Sequence, residues 1–204
     1  MKLLFAATSP FVRKVVVLAA ETGLSGDIER IDINPWDPET TVPQVNPIGK
    51  VPALILDDGT VLADSKLICE FLDSQHDGPK MYPAEGPERW QTLRLAGLAE
   101  GVLEAALTAV VEKLRRPEEF TWSGWVERQE GKIALGLDQL EAEVQAGKLL
   151  GEVDIAQITL GCTLGYLDLR HGHLQWREGR PGLASWFETF SRRPSMVVSA
   201  PPAA

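Results

Sequence analysis

At 204 residues with 44% hydrophobic side chains, the chain is long enough to bury one or two cores. A formal net charge of −9 without a basic stripe excludes nucleic acid as a partner, and no run of about 18 apolar residues is present to span a membrane. Its two cysteines, Cys69 and Cys162, lie far apart with no Cys-x-x-Cys pair and no metal-ligand spacing, as in buried, reduced residues of a cytosolic protein. The opening Met1-Lys2-Leu3-Leu4-Phe5 lacks a signal-peptide core and cleavage site, and Leu3 to Ala6 reads as a strand. Val12 to Ala20 carries an apolar face at helical spacing that ends near Gly23. Before it, Ser9 suits the N-cap and Pro10 the first helical position, where a missing N–H costs nothing.

Ile28 to Ile33 alternates apolar with polar residues, which predicts a half-buried strand. Asn34 to Asn46, rich in Pro, Asp and Thr, reads as a loop with one helical turn. Val51 to Leu56 is a continuous apolar strand, and Asp57-Asp58-Gly59-Thr60 turns it back into Val61-Leu62. The helix from Ser65 places Leu67, Ile68, Phe71 and Leu72 on one face. Strand, helix and strand followed by a hairpin and a helix predict a mixed α/β domain with a parallel portion. His76 to Pro83, full of Gly and Pro, reads as a linker, and everything beyond it is helical. The predicted helices run from Trp90 to Lys113, from about Ser123 to Val144, from Asp154 onward, and from Leu183 to Arg192. Asp154 is the expected N-cap of the third, with Gln157 completing a capping box and Val153 and Ile158 a hydrophobic staple. The expected organisation is a first domain over 1–76, a linker over 77–86 and a helical domain over 87–198, then a disordered Pro/Ala tail.

Three segments carry chemistry. Ser9 aims a hydroxyl at the positive end of a helix just beyond a strand, a place to hold an anion or a thiolate, although a serine cap is commonplace. Val51-Pro52 opens a strand, where proline is ordinarily trans at an edge. Asp64-Ser65 is a capping pair whose hydroxyl and helix-terminal N–H groups can receive a carboxylate.

Taken together, Ser9-Pro10-Phe11, Asn46 to Leu54 and Leu62 to Leu72 resemble, in order and spacing, the glutathione-binding half of cytosolic-type glutathione transferases. The resemblance covers the whole chain and looks most like bacterial members that carry Ser-Pro-Phe where redox-active relatives carry Cys-Pro-Phe or Cys-Pro-Tyr. It implies an α/β N-terminal thioredoxin-like domain followed by an all-α C-terminal helical bundle. It implies that glutathione is the co-substrate, with no metal, and that Ser9 holds its sulfur as thiolate for attack on a small apolar electrophile. Thr8 is the neighbouring hydroxyl that takes this role in a shifted register. By the same resemblance Pro52 is cis, Val51 pairs its backbone with the cysteinyl part of glutathione, and Phe11 and Lys50 lie at the tripeptide. Asp64 and Ser65 receive its γ-glutamyl end. Trp36, Leu103 and Leu107 are expected in the wall of the electrophile pocket. A homodimer, a cytoplasmic location and a role in detoxification follow from the family. At the third helical start this chain has Asp and Gln where the family commonly has Ser or Thr and Asp.

His76, His171 and His173 form no triad or ligand set in this reading, and His171-Gly172-His173 reads as a solvated helix cap. Arg13 reads as a surface residue, and Trp90, Trp122, Trp125, Trp176 and Trp186 mostly as core. Three other functions stay open on the same scaffold: a thiol-disulfide enzyme, disfavoured by serine at position 9, a glutathione-dependent isomerase, and a non-catalytic binding module.

Overall fold

In the computed structural model, which describes residues 1–202, β1 (Lys2–Phe5) runs through the interior of a four-stranded sheet of order β2-β1-β3-β4. It pairs parallel with β2 (Glu29–Asp32) and antiparallel with β3 (Ala53–Ile55), and β3 pairs antiparallel with β4 (Val61–Ala63). The parallel pair needs a crossover, which α1 (Pro10–Glu21) supplies. Val15-Val16-Val17 within α1 is a β-branched run that costs a few tenths of a kcal/mol per residue in helix propensity. Burial outweighs that cost, since Val12, Val15, Val17 and Leu18 are fully buried at about 1.5–3 kcal/mol per side chain. Leu4 and Ala53 on one face of the sheet meet Val42 of the single turn α2 (Val42–Val45), with Ile31, Ile33, Val45 and Val51 packed around them. α3 (Ser65–Ser74) packs against α1 and against β3 and β4.

Contacts divide the chain into two units, Met1–Ala84 joined by residues 194–202, and Glu85–Arg193. The second unit ends at Arg193, short of the residue 198 expected for the helical domain. Pro194–Val198 forms α8, whose Met196 is buried against the first unit, and Arg13 donates from Nη2 to the Met196 carbonyl at 3.0 Å. Arg13 is therefore a half-buried tie and not a surface residue. Ala203 and Ala204, part of the predicted tail, lie outside the described residues. The stretch before Ala84 is also held: the buried Asp73 carboxylate accepts from the N–H groups of Met81 at 2.7 Å and Tyr82 at 3.1 Å.

The second unit comprises α4 (Gly86–Arg115), α5 (Ser123–Gln145), α6 (Ile155–Arg170) and α7 (Pro181–Phe190). α6 is buried almost all round, from Ile155 to Leu164, as a central helix must be. α4 packs on both α5 and α6, lining that contact with Ala99, Val102, Leu103, Ala105, Ala106 and Ala109. Asp154 caps α6 by accepting from Gln157 N–H at 2.9 Å and holds the Thr92 hydroxyl at 2.9 Å. The expected reciprocal box does not form, because the Gln157 side chain donates to the Glu152 carbonyl instead. Trp176 is core at 2% exposure, whereas Trp90 and Trp122 are two-thirds exposed, against expectation. Among the described residues no helix is long and apolar enough to cross a membrane, and both cysteines are buried and in no disulfide.

Candidate functional site

Strand register decides what meets. Leu4 lies opposite Ala53 and Ala53 opposite Ala63, with β1 and β3 antiparallel and β3 and β4 antiparallel. The chain leaving β1 toward Ser9, the chain approaching β3 through Val51-Pro52, and the chain leaving β4 into Asp64-Ser65 therefore gather at one end of the sheet. The parallel pairing of β2 brings the segment that carries Trp36 to the same end. Two helices, α1 and α3, start there, so two positive helix ends converge on it.

Ser9 is the N-cap of α1, with extended backbone, and its Oγ accepts from Val12 N–H at 3.3 Å. As an acceptor in that bond, the hydroxyl keeps its proton for another partner. No acidic residue stands in the first turn of α1 to counter the dipole. Ser9 is half-buried and Thr8 exposed, and the cap belongs to Ser9. Phe11 follows, half-buried, within the first turn.

The Val51-Pro52 peptide bond is cis, and Val51 lies two residues ahead of the paired span of β3. The loop that presents it is built by Asn46, a residue with no role in the sequence reading. Asn46 is buried, donates from Nδ2 to the Lys50 carbonyl at 2.8 Å and accepts from Ile48 N–H at 3.2 Å. Gly49 takes φ +70 between them, a left-handed conformation that favours glycine. The Lys50 side chain is exposed.

Asp64, not Ser65, caps α3: its Oδ1 accepts from Lys66 N–H at 2.7 Å. It does so at φ +82, a conformation that costs a non-glycine residue on the order of 1–3 kcal/mol. Ser65 is the first helical residue, buried, with no partner for its hydroxyl among the described residues. Trp36 is half-exposed in the loop after β2, and its N–H donates to Asn34 Oδ1 at 3.0 Å. In the second unit Leu103 is fully buried on α4 and Leu107 partly so.

Sequence reasoning also passed over a cluster in the second unit. His171, expected in solvent, is 1% exposed, and its Nε2 donates to the Ala106 carbonyl at 3.0 Å. Burial holds the His171 imidazole below the ordinary histidine pKa, and the neighbouring His173 and Lys113 act in the same direction. His173 and Lys113 both donate to Glu130 Oε1, at 2.9 and 2.7 Å. Burial would raise the Glu130 carboxyl, but these two bonds outweigh it and hold it low. Only tertiary packing gathers these residues, so no local pattern signals them.

Comparison with known proteins agrees with this architecture. Residues 8–75 match the family model of the glutathione S-transferase N-terminal domain and residues 123–189 that of the C-terminal domain. The chain is 35% identical, over all of both chains, to the uncharacterized GST-like protein YibF of Escherichia coli K12. It is similar to a glutathione transferase family member from Pseudomonas fluorescens Pf-5, solved with bound glutathione, at 43% identity over 99% of each chain and a TM-score of 0.95. A glutathione S-transferase from Methylobacillus flagellatus KT, also with glutathione bound, is 38% identical over 98% of each chain with a TM-score of 0.91. A thioredoxin-like sheet domain and a helical domain with these matches define the class, and the chain belongs to the glutathione S-transferase family.

Proposed function

We propose that the protein binds glutathione at the end of the sheet where α1 and α3 begin, and transfers its thiolate to a small apolar electrophile. The observation that carries this reading is the register-driven convergence of Ser9, Val51-Pro52 and Asp64-Ser65. It is supported by the glutathione seen in the Pseudomonas fluorescens relative. In this reading the Ser65 hydroxyl and the N-terminal N–H groups of α3 take the γ-glutamyl carboxylate, and Asp64 faces the α-amino group. Val51 pairs with the cysteinyl backbone as an added strand, and Lys50 faces a carboxylate.

A free thiol of pKa about 8.5 is about 3% ionised at pH 7. A fall of about 2 units makes it mostly thiolate and needs about 2.7 kcal/mol. A hydroxyl donated by Ser9 and the positive end of α1 supply about 1–2 kcal/mol each, which is enough. The sulfur comes with the substrate, so Ser9 is a hydrogen-bond donor and not the nucleophile. Phe11 and Trp36 offer apolar surface beside the sulfur. The protein acts as a cytoplasmic homodimer in detoxification.

Calorimetric titration with reduced glutathione tests this directly. We expect saturable micromolar to low-millimolar binding that weakens about tenfold in Ser65→Ala, the loss of one hydrogen bond to a charged group. No binding by the folded wild-type chain would overturn the reading in favour of a non-catalytic module.

A further inference from the structure

The second unit carries a cluster that the transferase reading does not use. Glu130 on α5, His171 at the C-cap of α6 and His173 in the 3-10 turn that follows each offer one ligand atom, all within 4.8 Å of one another. We propose that these three residues bind a zinc-class divalent cation.

The orientation of His171 carries the argument. A carbonyl oxygen can only accept, so the bond from Nε2 to Ala106 fixes the proton on that nitrogen and leaves the lone pair on Nδ1. Nδ1 is buried and has no hydrogen-bond partner among the described residues. A buried imidazole that donates one nitrogen to a backbone carbonyl and leaves the other unsatisfied has the arrangement of a metal-ligating histidine. Zinc binds imidazole through such a lone pair.

Glu130 supplies the charge. Its Oε1 already draws the Lys113 ammonium and the His173 ring, so the carboxylate attracts cations where a metal would sit. Two imidazoles and a carboxylate are the donors of an open zinc site, with the fourth position left to water. Tetrahedral coordination at about 2.1 Å places ligand atoms about 3.4 Å apart. His173 is half-exposed and Glu130 about a fifth exposed, so rotation of these two side chains closes the remaining gap around the fixed His171. Lys113 is the competitor, since its ammonium must leave Oε1 or share the carboxylate.

The test uses the untagged full chain with zinc chloride in calorimetry, and cobalt(II) as an optical probe. We expect one zinc ion per chain, intense visible absorption from four-coordinate cobalt, and a raised unfolding temperature. His173→Ala and Glu130→Gln, both at partly exposed positions, should each weaken binding by about tenfold or more. Lys113→Met removes the competing cation and should tighten it. His76→Gln lies in the other unit and should leave it unchanged. Absence of saturable zinc binding in the folded wild-type chain would overturn the proposal. So would unchanged affinity in both ligand variants, or an equal loss in His76→Gln.

Discussion

In the proposed function, Ser9 meets a structural and a chemical demand with one side chain. Its oxygen accepts from Val12 N–H and caps α1, and its proton remains to be donated to a thiolate. The two demands separate in Ser9→Ala. Loss of the cap costs about 1 kcal/mol of stability, a drop of a few degrees in unfolding temperature. Loss of a hydrogen bond to a charged sulfur costs about 1.5–3 kcal/mol, which lowers kcat/KM for conjugation to a chloronitrobenzene acceptor about tenfold to hundredfold. The pH–rate profile distinguishes this from a packing effect. The apparent pKa of bound glutathione should rise toward the free-thiol value near 8.5 in Ser9→Ala. Ser9→Thr keeps the hydroxyl and should restore most of the shift. A profile unmoved by the alanine change would remove Ser9 from the chemistry and leave it a helix cap.

The contact between α4 and α5 depends on a glycine. A Cβ at Gly136 would stand 2.3 Å from Val102 Cγ2, and Val102 is a buried β-branched residue whose χ1 is stiff within a helix. Gly136→Ala gains about 1 kcal/mol of helix propensity and loses about 1–3 kcal/mol to overpacking. We expect net destabilisation in denaturant unfolding, reversed when Val102→Ala is added to open the space. Additive losses in the double variant would show that the contact with Val102 is not the source of the loss. Elements of this kind are where sequence and structure diverge. α1 is legible because Ser9-Pro10 marks its start and an apolar stripe its length. α3 is legible as a helix, but its cap shifts by one residue: Asp64 and Ser65 both favour that position, and φ +82 at Asp64 has no signature in composition. The family resemblance names the three segments that gather at the sheet end, but not the bonds by which Asn46 shapes its loop, because their partners are backbone atoms of that loop. Exposure of Trp90 and Trp122 and burial of His171 depend on which helix faces meet, and no single segment encodes that.

At the scale of the whole chain, the route of the polypeptide matters more than any one helix. It leaves the first unit after Ala84, builds the second, and returns at Pro194 to lay α8 on α1. The return is fastened by Met196, 1% exposed, by Arg13 bonds to the Met196 carbonyl and the Ser199 hydroxyl, and by the Ser195 hydroxyl donated to Glu21. Arg13 lies one turn beyond Ser9 and Glu21 ends α1, so these last residues brace the helix that bears the proposed donor to sulfur. Met196→Ala removes a fully buried side chain and should cost about 2–5 kcal/mol, depending on how far the site collapses. The loss belongs to the first unit. Hydrogen exchange should therefore accelerate across α1 and β1, while α5 and α6 keep their protection, because amide opening follows local stability. Glutathione affinity should fall with it, since a helix end that frays is no longer preorganised to receive an anion. If exchange instead rose equally in both units, the chain would unfold as one cooperative body, and α8 would stabilise the whole of it and not the sheet domain to which its contacts assign it.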